Sequence, residues 1–381
     1  MQFLNLDVVH VIARDTPQAR LETLAALRAR SDLVAAQRLV WFGRGGPTAA
    51  GLTPDARIAA PLGVGWLARS PAAVVRAERA TILHLWSADA LAWCASHMPA
   101  MRRWTTELHP AAIRVLADFD VSFDRRRLAQ ALDTALEIHF VTPTLIARRN
   151  LIAAGVPPQR CALVRDAVDF SALSAADRRR TRARLGLAED EIAAVALAPL
   201  TRAGGAFYGA WGAMLAHKIQ PQLRFVLCGG GHEARRTEEL VRAARHADMA
   251  IFLRGGFTTP ELAAAADVVL FTPVEDVPLQ SLAWAMAAGK PIVAAANPAT
   301  TELLVHGRNA WLAKPGDPKD ICRRILGAIE RPNESRTHAQ NAGWQAFGLF
   351  SRQRQAQQFR RVYSNLLNGE EVGQGLMDPA A

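Results

Sequence analysis

Short apolar runs alternate with amphipathic stretches along the chain, and the alternation runs twice. The first round holds Leu6–Ala13, Val34–Phe42, Ala80–Leu85, Arg103–Leu108 and Glu137–Val141. The second holds Ile192–Ala198, Arg224–Cys228, Ala250–Leu253, Val268–Phe271 and Pro291–Ala295, with a closing helix expected near Asp317–Ile329. Apolar runs of this length fit strands buried on both faces, and helices between them argue a parallel sheet covered on each side. Between the rounds, Asp169–Asp190 is rich in Ser, Arg and Asp, and its run Arg178-Arg179-Arg180 reads as a solvated face. The chain is therefore expected to form two α/β domains, residues 1–170 and 191–345, with 171–190 as a linker. The remainder, 346–381, contains an amphipathic helix at Gln353–Leu367 expected to return to the first domain. A length of 381 residues suits two ordinary domains.

Half of the residues are hydrophobic and 21% are charged, so each domain can bury a core and wholesale disorder is excluded. The formal charge of +10 comes almost entirely from arginine; the lysines are Lys218, Lys290, Lys314 and Lys319. That charge is spread along the chain, with few aromatics among the basic runs. This argues against nucleic acid as a partner and leaves an anionic ligand or an anionic membrane surface. The four cysteines lie far apart in apolar contexts, which predicts buried free thiols and a cytoplasmic compartment. The apolar start has no basic lead-in and reads as a strand rather than a signal peptide. No apolar run reaches the about 18–20 residues of a membrane span, so a soluble or peripheral protein is expected. Metal-ligand spacing, a G-x-x-x-x-G-K-[ST] loop and a G-x-S-x-G elbow are all missing from the sequence; no metal and no cofactor are expected.

The most specific stretch is Ala285-Met286-Ala287-Ala288-Gly289-Lys290-Pro291, followed by Glu302-Leu303, His306-Gly307 and Asn309. Upstream lie the glycine-rich turn Val226–Gly231 and the segment ending Ala167-Val168-Asp169. Together these closely resemble the C-terminal domain of the family 4 retaining glycosyltransferases. The resemblance implies a GT-B fold: two Rossmann-like parallel-sheet domains facing across a cleft. It also implies metal-independent, hexosyl-type transfer from a nucleotide-sugar donor to a glycan or lipid-linked acceptor, with retention of configuration. The donor would sit on the C-terminal domain and the acceptor on the N-terminal one. His109, in Thr-Glu-Leu-His-Pro, falls where such enzymes hold a histidine beside the transferred sugar, and His84 near a sugar or acceptor position. Trp86 beside it reads as core rather than as a sugar platform.

Ligands in open α/β sheets bind beyond the carboxyl ends of strands, where helix N-termini offer free N–H groups. Leu279 and Gln280 begin such a helix after Val268–Phe271. Gly204, Gly205, Gly229, Gly230 and Gly255 stand in turns where backbone can approach a ligand. The chain also departs from the resembling family at the donor site. Pro199 stands in the arginine position and Gly204 in the lysine position that grip the diphosphate; Trp284 replaces the second of two glutamates eight apart, a ribose ligand. The first glutamate corresponds to Glu275 or Asp276, with the register open. Arg202 lies between the two lost cations and is the candidate replacement; Trp284 can stack on a base. Two readings follow: a working transferase, or a catalytically silent relative that binds a glycan, a nucleotide or a partner enzyme.

Overall fold

The computed structural model describes residues 7–16, 18–29, 36–42, 52–58, 81–96, 114–121, 123, 125–132 and 137–376. The chain divides into two compact units: residues 1–166 with 352–378, and residues 167–351 with the last three.

In unit 1 the described strands are β1 (Asp7–Ala13), β2 (Ala36–Phe42), β3 (Ala56–Ile58), β4 (Ile82–Leu85), β5 (Arg114–Asp118), β6 (Ile138–Thr142) and β7 (Cys161–Leu163). They form a wholly parallel sheet in the order β3-β2-β1-β4-β5-β6-β7. Alternate residues of one strand face opposite ways. Val9 and Val11 of β1 therefore join Leu83, Leu85 and Phe140 on one face, against Leu91 and Leu128 of the helices Ala88–Ser96 and Arg125–Leu132. Val8, Ile12 and Ile82 join the other face, where Leu24 packs beside Phe359, Val362 and Leu366 of the helix Arg352–Asn368. The expected strand Arg103–Leu108 lies outside the described residues, and β5 follows it in sequence.

Unit 2 holds β8 (Ile192–Ala196), β9 (Leu223–Cys228), β10 (Ala250–Leu253), β11 (Val268–Phe271), β12 (Ile292–Ala295) and β13 (Trp311–Ala313), parallel and ordered β10-β9-β8-β11-β12-β13. Read from its own first strand, this is the 3-2-1-4-5-6 order of doubly wound dinucleotide-binding sheets, whose winding reverses between the first and fourth strands. Here that point lies between β8 and β11, which pair directly at Val268↔Ala194 and Leu270↔Ala196. Phe225, Leu270 and Val293 pack against Ala210, Ala213, Ile321 and Ile325 of the helices Ala206–His217 and Pro318–Glu330.

The stretch read as a linker is part of unit 2. Phe170–Ser174 and Arg178–Leu185 are helices, capped by the side chains of Asp169 and Asp177. Arg178 of the arginine run is half-buried rather than fully solvated. Its guanidinium donates to the carbonyls of Ala264, Ala265 and Ala266, the orphan acceptors at the end of the helix Thr259–Ala265. Arg178 also pairs with Asp267, which Arg182 meets at 2.8 Å. Arg179 and Arg180 are exposed, as a solvated face requires. The four cysteines are free thiols; Cys94, Cys161 and Cys322 are buried and Cys228 half-buried. Among the described residues, no helix is long and apolar enough to cross a membrane.

Candidate functional site

Two loops leave the point where unit 2's sheet reverses. The first follows β8 and closes as a tight turn: the Gly204 amide donates to the Thr201 carbonyl at 3.0 Å and to its hydroxyl at 3.2 Å. Gly205 then adopts φ +66° and caps the helix Ala206–His217. Both glycines are obligatory on steric grounds. A Cβ at Gly204 would lie 1.8 Å from the Pro199 carbonyl oxygen, and one at Gly205 2.0 Å from that of Thr272. The second loop follows β11 and is fastened to the first. The Ala203 carbonyl accepts from the Val274 amide at 2.8 Å and the Glu275 amide at 3.3 Å. The Thr272 hydroxyl donates to the Gly205 carbonyl at 3.2 Å.

This clamp brings Arg202 and Glu275 into neighbouring loops, both with exposed side chains. The Arg202 guanidinium has no ion-pair partner among the described residues. The two acidic candidates separate here. Asp276 is occupied, its carboxylate accepting from the Ala299 amide at 3.0 Å. Among the described residues Glu275 is anchored through its backbone alone, whose carbonyl accepts from the Asn297 amide group at 2.9 Å. Asn297 in turn forms a reciprocal turn with Thr300, bonding through N–H, amide oxygen and hydroxyl. Sequence reading passed over this support, although Asn297-Pro298 is a turn signal. Gly229, Gly230 and Gly255 follow β9 and β10, the strands on β8's other side, and the Gly229 amide donates to the Leu253 carbonyl at 2.8 Å.

The helix after the second loop, Gln280–Ala287, is more closed than the sequence implied. Leu279 is buried at its N-cap. Gln280 donates to the Ala167 carbonyl at 3.2 Å, and its buried side-chain oxygen has no hydrogen-bond partner among the described residues. Trp284 is only 6% exposed. A stacking platform must offer an open ring face, so the Trp284 base-stacking expectation does not fit this packing.

In unit 1, His109 lies outside the described residues. His84 is fully buried and both ring nitrogens are used. Nε2 lies 3.0 Å from an Asp118 carboxylate oxygen and Nδ1 2.9 Å from the Tyr363 hydroxyl, which fits a neutral ring donating to Asp118 and accepting from Tyr363. The neighbouring Trp86 indole donates to His10 at 3.0 Å, and His10 meets Gln37 at 3.2 Å. A buried ring with both nitrogens engaged cannot also grip a sugar, so the sugar or acceptor role expected of His84 is corrected to an internal one. Beside it, Arg20 meets Asp118 at 3.4 Å and Asp166 at 2.7 Å, all three buried. Burial raises the Asp166 carboxyl to about 6 against the opposing pull of Arg20.

Burial also holds three histidines neutral: His10 and His84 fall below the ordinary value, and His139 to about 4. For His139 burial leads; Glu137 opposes the shift, while Arg160 and Arg114 add to it. The unfolded chain protonates these rings near pH 6.5, whereas folded His139 resists until about 4. Its contribution is complete above pH 6.5 and is lost as pH falls through that window. His139→Gln should therefore show a smaller loss of stability than the parent between pH 7 and pH 4.5 in urea melts. An equal loss would remove His139 from the acid response.

Residues 208–345, all within unit 2, match the family model described as glycosyl transferases group 1. Anabaena HepE, solved in complex with UDP and glucose, is similar over 94% of this chain and 100% of its own, at 20% identity and TM-score 0.77. A glycosyltransferase of Rickettsia africae is similar over 96% and 99%, at 10% identity and TM-score 0.75. The fold is GT-B. An uncharacterized glycosyltransferase of Methanocaldococcus jannaschii is 24% identical over 158 residues, 40% of this chain and 40% of that protein. The family match thus lies in unit 2, and the likeness over the whole chain is one of fold.

Proposed function

We propose that the chain transfers a hexose from a nucleotide-sugar donor to a glycan or lipid-linked acceptor, with retention of configuration and without a metal. The observation that carries this reading is the clamp at Ala203. It holds an exposed arginine and an exposed carboxylate together beyond the switch point of a doubly wound sheet, where such folds bind nucleotides. In this reading Arg202 grips the donor diphosphate and Glu275 accepts from sugar hydroxyls, while the backbone of Gly229, Gly230 and Gly255 lets the ligand approach; Gly204 and Gly205, expected to do the same, are instead buried against the Pro199 and Thr272 carbonyls and shape the turn. Charge builds on the diphosphate as the glycosidic bond breaks, and a guanidinium fork aimed there lowers the barrier. HepE binds UDP and glucose on the same fold, and this supports a uridine nucleotide as the first donor to test. The net charge of +10 supports an acceptor bearing phosphate or lying on an anionic membrane face.

Calorimetric titration with nucleoside diphosphates tests the assignment. Arg202→Ala should weaken binding by about 1.5–3 kcal/mol, roughly ten- to a hundredfold or slightly more, with the fold intact. Unchanged affinity removes Arg202 from the site. A second reading, a silent relative that binds without turnover, draws on two observations: the closed turn at Gly204 and the buried Trp284. Hydrolysis or transfer across a panel of nucleotide sugars separates the two.

A further inference from the structure

We infer that unit 2 carries a second carbohydrate site, a surface groove that binds an oligosaccharide around Trp344. The groove has a volume of about 640 Å³ and runs between the turn Val305–Asn309 and the helix Pro332–Leu349. Its size falls in the range of about 300–1,000 Å³ usual for small-ligand sites. Residues 341, 344, 345 and 348 are spaced three and four apart and share one helix face. Trp344 is 81% exposed, an unusual state for so large an apolar ring in a folded chain. Gly348, one turn further on, adds no side chain beside it.

The remaining lining mixes apolar and polar groups: Leu303, Val305 and Leu349 lie beside the carboxamides of Asn341 and Gln345, the guanidinium of Arg308 and the carboxylate of Glu302. Several of these groups are fixed before any ligand arrives. Asn309 donates to the Leu303 carbonyl at 2.9 Å and the Gln345 side-chain oxygen at 2.7 Å, and accepts from the Val305 amide. Asn341 donates to the Arg308 carbonyl at 2.7 Å. The Arg308 guanidinium has no ion-pair partner among the described residues.

One open aromatic face among carboxamides and charged groups matches the two-sided chemistry of a sugar. The apolar C–H face of a pyranose lies on the ring, and its hydroxyls meet the planar polar groups. A membrane fits less well: hydrocarbon pressed into this groove would strip water from the amides, carboxylate and guanidinium without replacing its hydrogen bonds. None of these residues belongs to the clamp around Arg202 and Glu275, so the groove stands apart from the donor reading.

The test labels the full-length protein and probes a glycan array, followed by calorimetry with the strongest oligosaccharide and, separately, with UDP. The expected result is binding of at least one oligosaccharide, weakened roughly tenfold or more by Trp344→Ala. UDP affinity should be the same in both proteins. The inference is overturned if no array member binds, if Trp344→Ala binds as well as the parent, or if Trp344 matters only for vesicles of phosphatidylglycerol and phosphatidylcholine. UDP binding without oligosaccharide binding overturns the groove and leaves the donor reading standing. Trp344-dependent oligosaccharide binding without UDP binding supports the groove and removes a uridine nucleotide as the donor.

Discussion

Arg20→Met should destabilise unit 1 by about 3–5 kcal/mol, the range for removing one member of a buried ion pair. Arg20 is 3% exposed and lies between Asp118 and Asp166, so the variant strands two carboxylates away from water. Methionine nearly fills the volume, which isolates the effect of charge from that of a cavity. The pH dependence distinguishes this cause from poor packing. Asp166 already protonates near 6, and Arg20 is one of the groups opposing its rise. Without that guanidinium the folded-state value moves higher still, further from that of the unfolded chain. The folded variant then binds more protons than its unfolded state, so its stability should recover as pH falls from 8 towards 5, relative to the parent. A deficit that does not change with pH would mean that packing, not stranded charge, is lost. The added substitutions Asp118→Asn and Asp166→Asn should restore part of the loss, because residues in one network do not add independently.

The same cluster shows where sequence reading stopped. His84 was legible as a histidine at a strand end, but its meaning depends on Tyr363, 279 positions later. A ring with a distant structural partner and a ring aimed at a ligand look alike in one dimension. The linker failed for a similar reason: Arg178 read as solvated because its partner Asp267, shared with Arg182, lies 89 positions beyond it. Five of unit 2's strands were legible as apolar runs, and Val268–Phe271, buried throughout, is the clearest. Other strands gave no such run. β7 and β13 have three residues each, and β5 opens on Arg114. The helix Pro332–Leu349 was missed because its polar and small residues, with Gly343 and Gly348 inside, give little periodic signal; Trp344, which lines the groove, went unnoticed with it. At the candidate donor site, sequence reading found the loops that hold Arg202 and Glu275. It did not find their fastening, which passes through the backbone of Ala203 and carries no residue signature.

Restoring the resembling family's lysine should fail: Gly204→Lys is expected to destabilise unit 2 by about 3 kcal/mol or more, the upper end for overpacking. Position 204 is not an empty slot awaiting a cation. Its Cβ would lie 1.8 Å from the Pro199 carbonyl oxygen and 2.9 Å from the carbonyl carbon. The obstacle is backbone, which cannot turn aside as a flexible side chain would. The turn must open, and opening it releases the Gly204 amide from Thr201 and disturbs the Ala203 carbonyl that holds Val274 and Glu275. Calorimetric melts should show unit 2 unfolding roughly 6–12 °C lower, at about 2–4 °C per kcal/mol for a unit of this size. Nucleoside diphosphate binding should weaken rather than improve, because the loop carrying Arg202 loses its shape. Tighter binding with an unchanged melt would mean that the loop tolerates the family's cation, and that Arg202 has not taken over its place. Pro199→Arg provides the contrast. That residue's carbonyl, not its side chain, meets Gly204, so the variant should melt much closer to the parent than Gly204→Lys does.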